Sequence, residues 1–276
     1  MKKLVVLDFD GTFTDVEKEG AGFTAAYRSA LGELAARDPD AAWARAEEQT
    51  KDPEAGWVKD GVVVAPANCD PYIRATCIAT AVCEEWGYIP TRPLRESILQ
   101  ALYSHCYATA TTSAPRPEAA EVLQALANDD SLVVRVVTNS DTATVTKKLE
   151  ELRIGVTIQV IGSARKYSVT QKSIEGVAEF MMVEGAQRKL LLWRSSYHAI
   201  LRDLWRQTGT DASSTLVCGD IFELDLALPL SLGTRGHLLL RDNTHAFERA
   251  ALARFGARGT SSSTLRGLLD VVAAWR

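Results

Sequence analysis

Short apolar segments rich in β-branched residues recur along the chain, and segments with helical periodicity separate them. The first, Lys3–Leu7, has the fully apolar pattern of a central parallel strand that is covered on both faces. Leu132–Val137, Val156–Ile161 and Ser214–Cys218 repeat this pattern farther along. The alternation predicts an α/β fold: a doubly wound, mainly parallel, Rossmann-like sheet with helices on both faces.

A long stretch of different character follows the first predicted strand. From about residue 17 to residue 108, Ala-rich amphipathic segments dominate, and Pro, Asp and Asn residues separate them. Asp38-Pro39-Asp40 and Asp70-Pro71 are typical helix starts. We therefore predict an α-helical domain at 17–108, inserted into an α/β core formed by 1–16 and 109–276.

The bulk composition excludes several classes of protein. A chain of 276 residues with 46% hydrophobic and 24% charged residues is typical of an ordinary globular protein. Its formal net charge of −4 gives no reason to expect nucleic acid as a partner. No apolar run is long enough to cross a bilayer, and Leu4–Leu7 is too short for a signal peptide. We expect no membrane association and a cytoplasmic location.

The cysteines and the missing motifs narrow the chemistry further. The five cysteines are odd in number and lack CxxC spacing, so we expect free thiols and neither disulfides nor a zinc site. The sequence contains no GxxxxGK[ST] phosphate loop, no GxGxxG after a strand and no GxSxG nucleophile elbow. Nucleotide-binding folds of those kinds and serine hydrolases are therefore disfavoured.

Two acids follow directly after the first predicted strand, in Asp8-Phe9-Asp10-Gly11-Thr12. Side chains two residues apart on an extended strand end point the same way, so Asp8 and Asp10 converge on one site. Such a pair binds a hard cation such as Mg²⁺, while one acid can act as nucleophile and the other as general acid and base. Two acids after a buried strand are costly without a partner, which makes a mere turn a poor explanation.

Two other predicted strands also end in polar residues. Thr138-Asn139-Ser140 offers a hydroxyl and backbone N–H groups for a phosphoryl oxygen, and Asn139 can hold a neighbouring group; alone, this is also ordinary helix-cap chemistry. Gly219-Asp220 ends another strand, with Asp225 about one helical turn later. Asp220 is placed as a metal ligand, and Asp225 can brace it. Ligands of such sheets bind beyond the carboxyl ends of the strands, so the three segments are expected to meet.

In this order, the three segments resemble the motifs of the haloacid dehalogenase-like superfamily of phosphotransferases. Asp8-Phe9-Asp10-Gly11-Thr12 is similar to its first motif, Thr138-Asn139 to its second, and Gly219-Asp220 with Asp225 to its fourth. The resemblance implies that Asp8 is the nucleophile, Asp10 the general acid and base, and Thr138 a phosphoryl-binding residue. It also implies Mg²⁺ held by Asp8, Asp220 and the backbone carbonyl of Asp10, with Asp225 completing the metal site.

The third motif of that superfamily, a cation that offsets the charge of nucleophile and phosphate, is where this sequence departs from the pattern. The family often has Lys-Pro about two dozen residues before the fourth motif, whereas here Arg194 occupies that region without a following Pro. Lys166 and Lys189 compete with Arg194 for the role. We favour Lys166 as a substrate-binding residue, because a lysine just after a strand end can reach the site.

The resemblance implies a Mg²⁺-dependent phosphohydrolase that acts on a small phosphorylated metabolite through an aspartyl-phosphate. The second acid, Asp10, favours phosphoryl transfer, since the dehalogenase branch lacks it. A phosphomutase or phosphotransferase with the same site, or a catalytically weak binding protein, are the alternatives. The inserted helical domain corresponds to a cap that reads the leaving group, with candidate residues Arg74, Lys59, Tyr72 and Trp57; the sequence gives no indication of oligomeric state.

Overall fold

The computed structural model describes residues 2–275 and divides into two compact units. The core unit runs up to Thr14 and resumes at Pro115, and the inserted unit is Asp15–Ala114. The segment predicted as an insertion, 17–108, lies within the second of these. Each unit has its own hydrophobic core, so each is described by itself.

The helices and strands have the following bounds. The strands are β1 (Lys3–Leu7), β2 (Gly56–Lys59), β3 (Val62–Pro66), β4 (Leu132–Val137), β5 (Gln159–Ile161), β6 (Phe180–Val183), β7 (Ala186–Leu191), β8 (Thr215–Gly219), β9 (Arg235–Leu239) and β10 (Gly259–Ser262). The helices are α1 (Val16–Ala35), α2 (Asp40–Gln49), α3 (Pro71–Glu85), α4 (Arg92–Ala110), α5 (Ala119–Ala127), α6 (Thr142–Glu151), α7 (Ser195–Thr208), α8 (Ala227–Ser231), α9 (Ala246–Ala253) and α10 (Arg266–Trp275). A π-helical turn spans Phe222–Leu226, and a 3₁₀ turn spans Gly256–Arg258.

The core unit is built on a six-stranded sheet with the order β10-β9-β8-β1-β4-β5. Every strand pair recorded in this sheet is parallel. β1 lies in the middle, so that Leu7 is opposite Val136 on one side and Cys218 on the other. This confirms the predicted α/β class with a doubly wound, mainly parallel sheet.

β1 shows why a fully apolar strand belongs at the centre. Leu4 and Val6 are buried in the cluster on one face of the sheet, whereas Val5 and Leu7 belong to the cluster on the other face. This alternation follows from the two-residue period of a strand, and helices cover both faces. Each such side chain contributes about 1.5–3 kcal/mol when fully buried, which fixes the register of the strand that carries the site.

The structure shortens one predicted strand of the core unit: Val156–Ile161 is paired only from Gln159, as β5. β6 and β7 form a separate antiparallel pair. The polar tract Ser261–Ser263 contributes its first two residues to the edge strand β10. An edge strand needs no apolar run, because part of it faces solvent, and its hydroxyls bond the ring of His237 on the neighbouring strand.

The inserted unit combines α1 to α4 with a two-stranded hairpin. Phe23 and Tyr27 of α1 are fully buried at its centre, with their rings 5.4 Å apart. β3 begins at Val62 and pairs antiparallel with β2. Asp60 and Gly61 both have positive φ, 49° and 82°, which is the Asp-Gly turn that joins two strands tightly.

All five cysteines are free thiols. None of the helices within residues 2–275 combines the length and the apolar character needed to span a membrane.

Phe23→Ala is expected to destabilise the inserted unit by about 3–5 kcal/mol, because it removes a fully buried ring that packs against Tyr27, Tyr72 and Tyr103. Leu34→Ala, on the same helix but 43% exposed, is the matched control and should change stability by less than about 1 kcal/mol. Urea denaturation followed by circular dichroism measures both. Equal losses in the two variants would contradict this account of the core.

Candidate active site

The carboxyl end of β1 delivers the first acid to the middle of the sheet. The backbone N–H of Asp8 donates to the carbonyl of Cys218 at 2.8 Å, which continues the pairing with β8 by one residue. Asp8 is 8% exposed. Gly11, with φ at +84°, then turns the chain, and the Thr12 hydroxyl reaches Asp8 Oδ2 at 3.2 Å. The strand and its turn therefore fix the carboxylate before any ligand arrives.

Three buried carboxylates from two strand ends meet at this point. Asp8, Asp220 and Asp225 each offer an oxygen, and these oxygens lie within 4.8 Å of one another. The Thr12 hydroxyl also lies 3.1 Å from Asp220 Oδ1, so it bridges two of the acids. A Cβ at Gly11 would lie only 2.2 Å from Asp220 Oδ2, so only glycine leaves room for that carboxylate.

Asp225 projects from the π-helical turn that follows β8. Its Oδ2 accepts from the N–H of Ile221 at 3.0 Å, and its carbonyl accepts from the Tyr197 hydroxyl at 3.0 Å. π-helical turns occur frequently at functional sites, where they redirect a side chain. Here both the carboxylate and the backbone of Asp225 are anchored.

Lys166 joins two of the acids. Its Nζ lies 2.6 Å from Asp8 Oδ1 and 2.7 Å from Asp225 Oδ1, and the residue is 1% exposed. Its backbone N–H donates to Asn139 Oδ1 at 2.8 Å, and its carbonyl accepts from Arg194 Nη1 at 2.8 Å. The ammonium group is therefore held both by its charge and by the main chain that carries it.

The loop before Lys166 is conformationally unusual. Ser163 and Arg165 have φ values of 52° and 48°, in the left-handed region that non-glycine residues seldom adopt. Backbone hydrogen bonds from Ser163 N–H to the Ser140 carbonyl and from Ala164 N–H to the Thr138 carbonyl secure the loop. Such conformations cost on the order of 1–3 kcal/mol each and cluster at functional sites.

Burial and neighbouring charges both shift the pKa values of Asp8 and Lys166. Burial raises the pKa of the Asp8 carboxyl; Lys166 opposes this, while the charges of Asp225 and Asp220 add to it. Burial alone would lower the pKa of Lys166, but the charges of Asp225 and Asp8 outweigh it and raise that pKa. The ammonium therefore stays charged, and the acids compete for one cation.

The two other candidate cations lie elsewhere. Arg194 is fully buried; its Nη2 lies 3.5 Å from Glu223, and its Nη1 supports the carbonyl of Lys166. Lys189 is exposed, with its Nζ over the ring of Phe180 at 4.1 Å. Of the three, Lys166 is the one in contact with Asp8.

Asp10 and Thr138 come together, as their strand ends led us to expect. The Thr138 hydroxyl lies 3.3 Å from Asp10 Oδ2, and the N–H of Ser140 donates to that hydroxyl at 3.1 Å. Asn139 lies beside them, but its carbonyl oxygen is used to hold the Lys166 main chain. Its role in substrate binding stays a prediction.

Sequence reasoning missed two cations that pair with the predicted acids. Lys148 of α6 places its Nζ 2.8 Å from Asp10 Oδ1, and Arg241 places its Nε 2.9 Å from Asp220 Oδ2. Helical spacing offered a signal for the first, since Lys148 shares a face with buried Val145 three residues earlier. The second follows β9, beside β8, where the strand-end rule also applies.

The donor set fits a hard divalent cation. Carboxylate oxygens are the ligands that Mg²⁺ prefers, and the cluster of Asp8, Asp220 and Asp225 supplies several at close range. A buried carboxyl whose pKa is raised gains most from a nearby positive charge. Asp8 and Asp220, bridged by the Thr12 hydroxyl, would hold the ion, and Asp225 would anchor Lys166 beside them.

Most of the chain matches a known protein family. The model of the haloacid dehalogenase-like hydrolase family matches residues 2–227. No curated protein matches the sequence.

Solved structures share the fold along nearly the whole chain. A protein from Haemophilus somnus 129PT, described as a predicted phosphoglycolate phosphatase, is 16% identical with a TM-score of 0.58, over 98% of each chain. A haloacid dehalogenase-like family protein from Streptococcus pneumoniae is 15% identical with a TM-score of 0.54, over 100% of this chain and 99% of that one. YfnB from Bacillus subtilis, solved bound to magnesium, is 14% identical with a TM-score of 0.53, over 99% of each.

Gly11→Ala tests whether Asp220 needs the space that glycine leaves. Positive φ costs any alanine roughly 1 kcal/mol, and the contact with Asp220 should add about 1–3 kcal/mol. Gly209→Ala, also at positive φ in the core unit but with nothing within 4 Å of its Cβ, is the control that carries only the first cost. Urea denaturation of both variants gives the difference, and equal destabilisation would refute the close-packing argument.

Proposed function

Because the chain belongs to the haloacid dehalogenase-like hydrolase family, we propose that it is a Mg²⁺-dependent phosphohydrolase acting on a small phosphomonoester through an aspartyl-phosphate. The observation that carries this proposal is the buried contact of Lys166 with Asp8, beside a second acid at Asp10. A nucleophilic carboxylate, a neutralising cation and a proton donor are the groups that phosphoryl transfer needs.

In the first step, a carboxylate oxygen of Asp8 forms a bond to phosphorus while the bond from phosphorus to the leaving oxygen breaks. Asp10 donates its carboxyl proton to that leaving oxygen. Lys166 offsets the negative charge of the phosphoryl oxygens, and the Thr138 hydroxyl orients them. Because these groups are already held by hydrogen bonds, little reorganisation accompanies the reaction.

In the second step, Asp10, now a carboxylate, accepts a proton from water as the water oxygen bonds to phosphorus. The bond between phosphorus and the Asp8 oxygen breaks, which releases inorganic phosphate and restores the Asp8 carboxylate. One residue thus serves as acid and then as base, which requires a carboxyl group that changes protonation state between the steps.

Asp8, Asp220 and the backbone carbonyl of Asp10 are proposed to hold Mg²⁺, which when bound supplies positive charge to the phosphoryl oxygens. Asp225 is proposed to keep Lys166 and the metal ligands in place. Asp10 favours phosphoryl transfer over dehalogenation, since the dehalogenase branch of the family lacks this second acid.

The inserted unit is proposed to act as the cap that selects the leaving group. Of its candidate residues, Arg74 pairs with Glu17 and Asn68, and Tyr72 packs against Phe23. Lys59 lies over the ring of Trp57, with its Nζ 5.0 Å from the ring centroid. Lys59 and Trp57 also line a cavity of about 350 Å³ within this unit.

Asp8→Asn is expected to abolish Mg²⁺-dependent hydrolysis of p-nitrophenyl phosphate, because the amide is a far poorer nucleophile. Asp270→Asn, at an exposed position of α10, is the control and should keep wild-type turnover. Phosphate release is measured with MgCl₂ and with EDTA, and circular dichroism checks the fold. Undiminished turnover in Asp8→Asn would end the proposal.

Lys166→Met should lower turnover by about 10²–10³-fold, since it removes the cation beside the nucleophile. It should also cost about 3–5 kcal/mol of stability, because two buried carboxylates lose their partner. Lys189→Met is the control, since its exposed ammonium stacks on Phe180 and should leave both properties unchanged. Activity is normalised to folded protein, and equal turnover in the two variants would reject Lys166 as the neutralising cation.

Two other results would support the alternatives to a phosphohydrolase. Transfer of phosphate to an added sugar phosphate or alcohol without release to water would identify a phosphotransferase or mutase. Tight binding of phosphate esters without turnover would identify a binding protein with the same fold.

A further inference from the structure

Arg241 occupies a strand end that the proposed reaction does not use. β9 ends at Leu239, and Arg241 follows two residues later, beside the end of β8. Its backbone is closed into a turn: its N–H donates to Thr244 Oγ1 at 2.8 Å, and its carbonyl accepts from Thr244 N–H at 3.0 Å. The side chain is only 7% exposed. An arginine so enclosed needs acidic or carbonyl partners.

Its partner is the carboxylate that is proposed to bind metal. Arg241 Nε lies 2.9 Å from Oδ2 of Asp220, whose side chain is 1% exposed. The other oxygen of that carboxylate, Oδ1, lies 3.1 Å from the Thr12 hydroxyl, toward Asp8. One oxygen of the Asp220 carboxylate is therefore linked to Asp8 by the Thr12 hydroxyl, and the other lies beside the guanidinium of Arg241.

We propose that Arg241 is a built-in counter-ion of Asp220 that competes with the divalent cation for this carboxylate and so weakens metal binding. This inference rests on the proposed function, because it takes Asp220 as a metal ligand. It makes Arg241 a positioning residue that sets the affinity of the metal site and does not touch the substrate.

The sign of the effect follows from elementary electrostatics. A guanidinium whose Nε lies 2.9 Å from a ligand oxygen repels an incoming cation and offsets the charge of the carboxylate in its absence. Both interactions are strong here because Asp220 and Arg241 are almost completely buried, where charges are weakly screened. Removing the guanidinium therefore leaves a carboxylate that depends on the metal for neutralisation.

Glu248 is a second buried acid whose pKa responds to the charge of Arg241. Glu248 is 2% exposed, and its oxygens accept from the N–H groups of Phe222 at 2.9 Å and His245 at 3.1 Å. Desolvation raises the pKa of Glu248 to about 7, and the charge of Arg241 opposes that rise, so the two groups interact electrostatically.

The test is a calorimetric titration of the EDTA-treated, dialysed full chain with MgCl₂. Arg241→Gln should lower the Kd for Mg²⁺ at least tenfold, and Mg²⁺ should raise the Tm of this variant more than that of wild type. Arg241→Met keeps the aliphatic stem and serves as a second neutral variant if the first does not fold. Arg241→Lys, which retains the charge, should stay close to wild type.

Arg235→Gln is the matched control. Arg235 lies at the other end of β9, where its Nη1 donates to the carbonyl of Ala257 at 3.2 Å, and its loss should leave the Kd within twofold of wild type. Wild-type binding with an unchanged or higher Kd in a folded neutral variant of Arg241 would overturn the inference and leave the proposed function standing. No binding of Mg²⁺ by wild type or by any variant would overturn both.

Discussion

The buried ammonium of Lys166, shared between Asp8 and Asp225, is the interaction on which the rest of the site depends. Removing such charges from water costs several kcal/mol per ion, so they are stable only with close geometry and further hydrogen bonds. The chain supplies both: Asn139 and Arg194 hold the backbone of Lys166, and Tyr197 holds that of Asp225. A network that must satisfy every buried polar group leaves little freedom to its members, which is how a fold makes a rigid reactive centre.

Sheet topology explains why this network forms where it does. β1 lies inside the sheet, with β8 as its neighbour on one side and β4 on the other. In sheets of this kind ligands bind beyond the carboxyl ends of the strands, and Asp8, Asp220 and Thr138 follow such ends. The strands that carry the site, β1, β4 and β8, are mainly apolar and lie inside the sheet, so their polar site residues are confined to their ends. The apolar part of these strands stabilises the core, and the residues at their carboxyl ends form the site.

The sequence was sufficient for the fold class and for the meeting of Asp8, Asp220 and Asp225, because both follow from local patterns: apolar strands and acids at their ends. It was insufficient for Lys148 and Arg241, whose contacts depend on how a helix packs and on which strands are neighbours. For the neutralising cation it favoured Lys166 and kept Arg194 and Lys189 as alternatives for the same reason. The contact of Lys166 with Asp8 depends on the loop that contains the left-handed residues Ser163 and Arg165, which spacing along the chain does not predict.

The pairing of charges leads to a last step of argument. Asp10 has Lys148, Asp8 and Asp225 share Lys166, and Asp220 has Arg241. When Asp10 carries the proton that it donates in the first step, three carboxylates balance the three cations, so these groups hold no excess positive charge to meet a phosphate dianion. A phosphomonoester adds two negative charges, which in a buried site is unfavourable without added positive charge. The dependence on a divalent cation that we propose is therefore a consequence of this charge balance as well as of the family to which the chain belongs.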